Sequence, residues 1–149
     1  MNAETTPAFQ VSPACVCSAV RRADRALNRL YDDALRPSGL ATTQYALLSL
    51  LARAGRPIAH GELAERQEMA ATTLSRTLKP LVRDGLVSIT PGHDRRTRFV
   101  TITPAGEAAL ARAHPLWQSV QGRIVAEFGQ ERVDRLLAEL HDLVSDLRE

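Results

Sequence analysis

The amino-acid sequence predicts a mainly α protein with one small β-hairpin set between helices. Over most of the 149 residues, apolar side chains recur at the three- and four-residue spacing of amphipathic helices. Two short alternating segments, Leu86 to Thr90 and Phe99 to Thr103, flank a loop with several arginines and predict the hairpin. Prolines and glycines separate these segments, so the boundaries between elements can be placed along the chain.

Length and composition suit a single protomer with its own core, because 44% of the residues are hydrophobic. The formal net charge is only +2, so binding to nucleic acid would require the basic residues to lie on one face. No apolar run is as long as a membrane span, and residues 1–10 lack the zones of a signal peptide. We therefore expect a cytoplasmic protein with no membrane partner. Residues 1–12 are expected to form a flexible tail.

The N-terminal part predicts two helices. Apolar positions follow helical spacing over residues 14–36. This first helix is expected to end at Arg36-Pro37-Ser38-Gly39, since proline cannot continue the hydrogen-bond ladder and glycine suits the exit conformation. Thr42 or Thr43 is expected to cap the second helix, which runs to about Arg53.

Residues 42–106 carry the most specific pattern. Ile58-Ala59 predicts a short strand, and residues 61–67 predict a short helix. Ala71 to Asp84 predicts a longer helix, which Gly85 should end. Pro80 lies inside this longer helix and should cost roughly 3 kcal/mol unless the helix accommodates a local irregularity.

The helix predicted over residues 71–84 has two different faces when it is projected at about 100° per residue. Its apolar side carries Leu74, Leu78, Leu81 and Val82. Its other side carries Thr72, Ser75, Arg76, Lys79 and Arg83, and Thr73 lies with Thr72 and Ser75 at the N-terminal end of the helix. Hydroxyls and free N–H groups near a helix start can bind phosphate, while Arg76 can bind guanine and Lys79 phosphate. This face is suited to the DNA major groove; an ordinary solvated face is the competing interpretation.

The hairpin loop supports the DNA interpretation. It opens with Pro91-Gly92-His93 and presents Arg95, Arg96 and Arg98. An arginine at a tight hairpin tip can enter a narrow minor groove. Asp94 can orient one guanidinium group through a bidentate pair.

The C-terminal part predicts two more helices. Pro104 starts a long helix that Pro115 is expected to bend and Gly129 to end. The last helix carries an apolar stripe of Val133, Leu136, Leu137, Leu140, Leu143, Val144 and Leu147. Because an exposed stripe of this length would be a liability, residues 14–36 and 107–149 are expected to be dimerisation helices.

A combined set of motifs runs through the central segment: Leu74-Ser75-Arg76 with Leu78 and Leu81, then Gly85-Leu86-Val87, Asp94-Arg95-Arg96 and Thr103-Pro104-Ala105-Gly106. Together they resemble the MarR family of bacterial transcription regulators, and the resemblance covers nearly the whole chain. It implies a winged helix-turn-helix over residues 42–106, flanked by N- and C-terminal dimerisation helices. It also implies a recognition helix over residues 71–84, with Arg96 as the wing arginine. The protein would be a homodimeric repressor that binds double-stranded DNA at a pseudo-palindromic operator.

The same resemblance implies release from DNA by a small aromatic ligand or by cysteine oxidation. Cys17 lies near the start of the first helix, where the helix dipole and Arg21 favour the thiolate. Cys17 and Tyr31 have the fourteen-residue spacing of OhrR-type hydroperoxide sensors, but on one helix they lie about 21 Å apart. Contact between them therefore requires two crossed protomers. Thr42 occupies the position of a second tyrosine in those sensors, which leaves the peroxide site incomplete.

The role of the two cysteines has alternatives. Cys15 could resolve an oxidised Cys17 between chains or through a strained local bridge. Both could equally be small packing residues. The four histidines show no metal-ligand spacing with either cysteine, so we expect no metal.

Other classes of function fit the sequence poorly. The chain has no nucleophile-base-acid arrangement, glycine-rich phosphate loop or paired-metal motif. We therefore expect no enzymatic activity and no cofactor. The alternative to a DNA-binding regulator is a winged-helix module that binds another protein without specific DNA binding.

Overall fold

A computed structural model of the chain describes residues 15–147. The elements in order are α1 (Val16–Leu35), a 3-10 turn (Arg36–Ser38), α2 (Thr42–Ala54), β1 (Ile58–Ala59), α3 (His60–Arg66), α4 (Ala71–Arg83), β2 (Val87–Pro91), β3 (Arg98–Ile102), α5 (Pro104–Phe128) and α6 (Gln130–Asp146). The predicted fold class is confirmed: the chain is mainly helical, with a small antiparallel sheet. Within the described residues, the helices are too short or too polar to cross a membrane. The tail predicted over residues 1–12 lies outside them.

The sheet has the strand order β1-β3-β2. The predicted strand Ile58-Ala59 is confirmed, and Ile58 pairs with Val100 on β3. On the other side of β3, Val87 pairs with Ile102. Both hairpin strands are shifted by one residue from their predicted bounds, because the pairing extends to Pro91 opposite Arg98. Ile58, Val87 and Val100 are all buried, so the sheet turns one apolar face to the helices.

The start of α2 is held by a side chain of α1. Asp32 Oδ1 accepts hydrogen bonds from the Thr42 N–H at 2.7 Å and the Thr42 hydroxyl at 2.6 Å. The helix begins at Thr42, so Ala41 is the N-cap, and Gln44 Oε1 accepts from the Ala41 N–H at 2.9 Å. The predicted cap by Thr42 or Thr43 is therefore wrong. The Asp32 carboxylate accepts from a backbone N–H that has no partner within α2. Its negative charge also interacts favourably with the positive end of the helix dipole, which a neutral hydroxyl does not do.

The core joins α2, α3, α4 and the sheet with the end of α1 and part of α5. Its fully buried large side chains are Leu35, Leu47, Leu48, Leu51, Ile58, Leu63, Leu74, Leu78, Leu81 and Val100. Three of them lie on α4, and complete burial of each leucine stabilises the fold by about 1.5–3 kcal/mol. Val82, predicted on the same face, is instead 41% exposed. It follows Leu81 by about 100° around the helix, which carries it past the edge of the core.

Neither internal proline ends its helix. Pro80 lies within α4, which continues to Arg83 and ends with a hydrogen bond of 2.9 Å from the Asp84 N–H to the Pro80 carbonyl. Pro115 lies within α5. Gly129, at a φ of 93°, separates α5 from α6 as predicted. The core contacts of α4 outweigh the single backbone hydrogen bond that a proline removes.

The terminal helices carry apolar side chains that no part of the described chain covers fully. The exposed ones are Val16, Val20 and Leu27 on α1 and Leu136, Leu137, Leu140 and Val144 on α6, together with Leu147. Leu137 is 60% exposed. The stripe predicted on the last helix thus faces outward, while dimerisation through residues 14–36 and 107–149 stays a prediction.

Candidate nucleic-acid interface

The outward face of α4 presents short polar and cationic side chains. Leu74, Leu78 and Leu81 are fully buried on the opposite side, so the helix cannot rotate without exposing them. All five predicted DNA-contact residues of α4 are exposed: Thr72, Thr73, Ser75, Arg76 and Lys79. The structure therefore brings hydroxyl, guanidinium and ammonium groups to one surface at the predicted positions.

Asp94 orders the turn that joins β2 to β3. Its Oδ1 accepts hydrogen bonds from the backbone N–H of Thr97 at 2.9 Å and of Arg96 at 3.2 Å, and its Oδ2 accepts from the Thr97 hydroxyl at 2.9 Å. Arg95, at a φ of 55°, takes the left-handed conformation inside this turn. The predicted bidentate pair of Asp94 with an arginine is wrong, because backbone and hydroxyl donors of the same turn occupy the carboxylate. Asp94 thus shapes the backbone of the wing, which is the β2–β3 hairpin over residues 87–102. Its hydrogen-bond partners are the Arg96 N–H and the N–H and hydroxyl of Thr97, and they include no guanidinium group.

The Thr97 backbone N–H, and next its hydroxyl, lower the pKa of Asp94 from its usual value. Since the folded state has the lower pKa, the contribution of Asp94 to stability is present at neutral pH. It is lost as the pH falls through that lowered value. Arg95 and Arg96 on this turn and Arg98 at the start of β3 are all exposed. Because Asp94 is charged and orders the turn at neutral pH, the turn holds its two arginines in an ordered backbone under these conditions.

A cleft of about 650 Å³ lies between α4 and the wing. It is lined by Ala59, His60 and Gly61 at the start of α3, by Ser75 of α4, and by Arg96, Thr97 and Arg98. His60 Nε2 lies 3.0 Å from Ser75 Oγ. From its place before the short predicted helix, His60 is expected to be either a phosphate neighbour or a solvent-exposed group. Its pairing with Ser75 could not be predicted, because Ser75 is fifteen residues away on a different helix. No sequence motif signals this pair.

The wing is attached to the start of α5 through Thr103 and Gly106. The Thr103 hydroxyl donates to the Gly85 carbonyl at 2.6 Å and accepts from the Gly106 N–H at 3.1 Å. The Thr103 N–H donates to the Leu86 carbonyl at 3.1 Å. These bonds join the end of α4, the start of β2 and the start of α5, so α4 and the wing hold a defined relative position.

An ion-pair cluster supports α3 next to this surface. The Glu62 carboxylate lies 2.6 Å from the Arg56 guanidinium and 2.7 Å from that of Arg66. The hydrogen bond from Arg56 is the main cause that lowers the pKa of Glu62. The three groups are partly exposed, so we assign them an orienting role and little net stability.

The candidate sensor residues lie on α1, away from the wing in sequence. Cys17 is exposed, while Cys15 and Tyr31 are partly buried. Burial raises the pKa of the Tyr31 phenol, which keeps it a hydrogen-bond donor. The single chain does not bring Cys17 and Tyr31 together, because both lie on one continuous helix.

An aromatic cluster, which sequence analysis missed, joins α2 to α5. The Tyr45 hydroxyl lies 2.8 Å from His114 Nδ1. The Trp117 ring stacks on Tyr45 at 5.8 Å and on His114 at 5.7 Å between centroids. Burial raises the pKa of Tyr45. These contacts join α2, which packs against α4 and β3, to α5.

A buried apolar side fixes α4, its outer side carries hydroxyls and cations, and an arginine-bearing hairpin lies beside it. This fold and this surface define a winged helix-turn-helix transcription regulator that binds DNA. The chain belongs to the MarR family, whose sequence profile matches residues 38–97. The predicted family is confirmed, and with it the prediction that the protein is a regulator and not an enzyme.

Comparisons with individual proteins agree. An HTH-type transcriptional regulator from Bacillus cereus is 32% identical over 113 residues, which cover 76% of this chain and 75% of that protein. The M. tuberculosis transcriptional regulator MosR, seen in a crystal structure in complex with DNA, is 40% identical in sequence to this chain. It superposes with a TM-score of 0.79 over 91% of this chain and 99% of that one. A mutant MarR from E. coli in complex with operator DNA, at 22% identity, shares the fold, with a TM-score of 0.76 over 85% of this chain and 91% of that one.

Proposed function

We propose that the protein binds a pseudo-palindromic operator as a homodimer and acts as a repressor that a chemical signal releases. In each protomer α4 enters the major groove, where Arg76 contacts a base edge and Thr72, Thr73, Ser75 and Lys79 contact phosphates or bases. The wing reaches the minor groove through Arg96, with Arg95 and Arg98 beside it. The observation that supports this proposal most is the cleft that Ser75 of α4 shares with Arg96 and Arg98 of the wing. The DNA complex of the 40% identical MosR supports it.

The uncovered apolar faces of α1 and α6 support the proposed homodimer. A second copy of the chain, related by a two-fold axis, would cover both faces in the same way in each protomer. The two α4 helices would then read half-sites about one DNA turn apart, or roughly 34 Å.

Selection of bound duplexes from random DNA tests this function directly. We expect enrichment of an inverted repeat whose half-sites are separated by about 10 base pairs. If no sequence is enriched while the folded protein captures another protein, the chain is a winged-helix interaction module instead.

The wing contact can be tested by replacing Arg96 with alanine. We expect operator affinity to fall by about 5- to 100-fold and the slope of log affinity against log salt to decrease by about one, because one cation leaves the DNA. Titration of a labelled operator at several salt concentrations measures both quantities. Arg123→Ala, which removes an exposed arginine of α5, is the matched control and should leave both unchanged. Unchanged binding by Arg96→Ala contradicts the wing assignment.

The signal that we propose is oxidation of Cys17, with a small aromatic ligand as the second candidate. Cys17 is exposed in the single chain, and the proposal requires that a hydroperoxide also reach its sulfur in the dimer. The thiolate Sγ bonds to the terminal peroxide oxygen, the O–O bond breaks, and the other oxygen leaves as an alcohol after it takes a proton. The product is a sulfenic acid, which Cys15 or a thiol of the second protomer can convert to a disulfide with loss of water.

Cys17→Ser tests the thiol signal, because a serine hydroxyl cannot form a sulfenic acid. We expect an organic hydroperoxide to lower the operator affinity of the wild-type protein at least tenfold and to leave Cys17→Ser bound. Cys15→Ser is the matched control for the resolving step and should still form the sulfenic acid. Release of Cys17→Ser to the same extent would make the thiol structural. A parallel screen of phenols and aromatic carboxylates then tests the ligand candidate.

A further inference from the structure

His60 lies in the cleft described above, although no motif marks it. It begins α3, and its Nε2 lies 3.0 Å from Ser75 Oγ on α4. Both residues line this cleft together with Arg96 and Arg98. The imidazole is therefore close to residues of both α4 and the wing, the two elements that contact DNA under the proposed function.

The hydrogen bond between His60 and Ser75 has a definite consequence for the donors that remain. In one neutral tautomer, Nε2 accepts from the Ser75 hydroxyl and Nδ1–H stays available as a donor. In the other, Nε2–H donates to Ser75 Oγ and the hydroxyl hydrogen stays available. In the imidazolium form, Nε2–H donates to Ser75 Oγ, so both Nδ1–H and the hydroxyl hydrogen are available. Protonation thus adds one donor and one positive charge to the pair.

The groups around the cleft favour an anion. The wing lines the cleft with two charged groups, the guanidinium groups of Arg96 and Arg98, and α4 lines it with the Ser75 hydroxyl. The residues that line the cleft include no carboxylate. On α3 itself, Glu62 is the nearest acid in sequence, and its carboxylate is paired with Arg56 and Arg66. A cleft with two guanidinium groups, an imidazole and a hydroxyl matches the donors that bind phosphate oxygens.

We propose that His60 and Ser75 form a binding site for one phosphate of the DNA backbone, completed by Arg96 and Arg98, and that this site binds more tightly when His60 is protonated. The proposal rests on the DNA binding described under Proposed function. An imidazolium at this position would make a charge-assisted hydrogen bond to phosphate, so operator affinity is expected to increase when His60 is protonated.

The experiment is a titration of the wild-type protein and of His60→Gln with labelled operator at about pH 6 and about pH 8, at several salt concentrations. Glutamine can still form a hydrogen bond with Ser75 but does not titrate. We expect the wild-type protein to bind about five- to tenfold more tightly at the lower pH, with a salt slope larger by up to about one. His60→Gln should lose this pH dependence and bind at both pH values about as the wild-type protein does at the higher one.

The controls distinguish an effect of His60 on DNA binding from an effect of another histidine and from misfolding of the variant. His141→Gln, on the exposed surface of α6, should keep the full pH dependence. Circular dichroism and thermal unfolding of His60→Gln should match the wild-type protein, and Ser75→Ala combined with His60→Gln should weaken binding by less than the product of the two single effects. Retained pH dependence in folded His60→Gln overturns the proposal, as does additivity in that double mutant. If the wild-type protein binds no duplex at either pH, the proposed function itself fails.

The same phosphate chemistry could come from a free anion in place of DNA. Replacing chloride by inorganic phosphate at equal ionic strength tests this source. We expect both anions to weaken operator binding to the same extent in the wild-type protein and in His60→Gln. Stronger competition by phosphate that disappears in His60→Gln would assign the cleft to a free anion and overturn its role as a DNA contact.

Discussion

Replacement of Gly106 by alanine is expected to lower the free energy of unfolding by about 2–4 kcal/mol. Gly106 is buried in the first turn of α5. A Cβ atom added there would lie 2.1 Å from the Leu86 carbonyl oxygen and 2.8 Å from Ile102 Cγ1. The first of these atoms belongs to the backbone and cannot rotate away. The start of α5 must therefore move away from the start of β2, which breaks the contacts that attach the wing.

Gly122→Ala is the matched control, because it places the same methyl group on the same helix where a Cβ atom has no neighbour within 4 Å. Alanine favours a helix over glycine by about 1 kcal/mol, so this variant should be as stable as the wild-type protein or slightly more so. Denaturant unfolding of the three proteins at one concentration measures the difference, since the stability of a dimer depends on concentration. If Gly106→Ala unfolds at the wild-type midpoint, the close packing at this helix start is refuted. We also expect Gly106→Ala to weaken operator binding, because α4 and the wing lose their common support.

Leu137→Glu is expected to convert the proposed homodimer to monomers and to lower operator affinity about 100-fold or more. Leu137 lies in the apolar stripe of α6 and is 60% exposed in the single chain. Two buried carboxylates related by the two-fold axis would lose hydration without a partner. A monomer binds one half-site only, and the gain from linking two half-sites is commonly about 100-fold to 10,000-fold.

Ala138→Glu introduces the same side chain roughly 100° further around α6, away from the stripe, and should leave both dimerisation and binding intact. Analytical ultracentrifugation measures the oligomeric state, and operator titration measures the affinity. Val144→Glu, a second substitution in the stripe, guards against a local fault at one position; circular dichroism verifies that each variant is folded. A dimeric Leu137→Glu protein would place the subunit interface elsewhere on the chain.

Most of the DNA-facing surface could be predicted from the sequence. The alternation of Leu74, Leu78 and Leu81 with hydroxyl and cationic residues determines which side of α4 faces outward, because helical spacing couples burial of one side to exposure of the other. The exception is Val82, which lies at the edge of that apolar face. The hairpin is equally local: alternating apolar residues around an arginine-rich loop already predict two paired strands.

Contacts between residues far apart in the sequence could not be predicted in this way. Asp32 holds the start of α2 across ten residues, and His60 bonds to Ser75 across fifteen. Either partner alone is an ordinary surface residue type, and nothing in the spacing selects one partner from several candidates. For the same reason, Asp94 was assigned to a nearby arginine although the turn brings the backbone N–H groups of Arg96 and Thr97 closer.

The order of the elements, the side of α4 that faces outward and the family of the chain could all be derived from the sequence alone. These features depend on period and turn chemistry, which act over a few residues. The folded structure was needed to show how Thr103 and Gly106 join α4, the wing and α5, and which side chains line the cleft. Such contacts form when packing of the whole core brings distant backbone segments within hydrogen-bonding distance, and a linear pattern does not contain that distance.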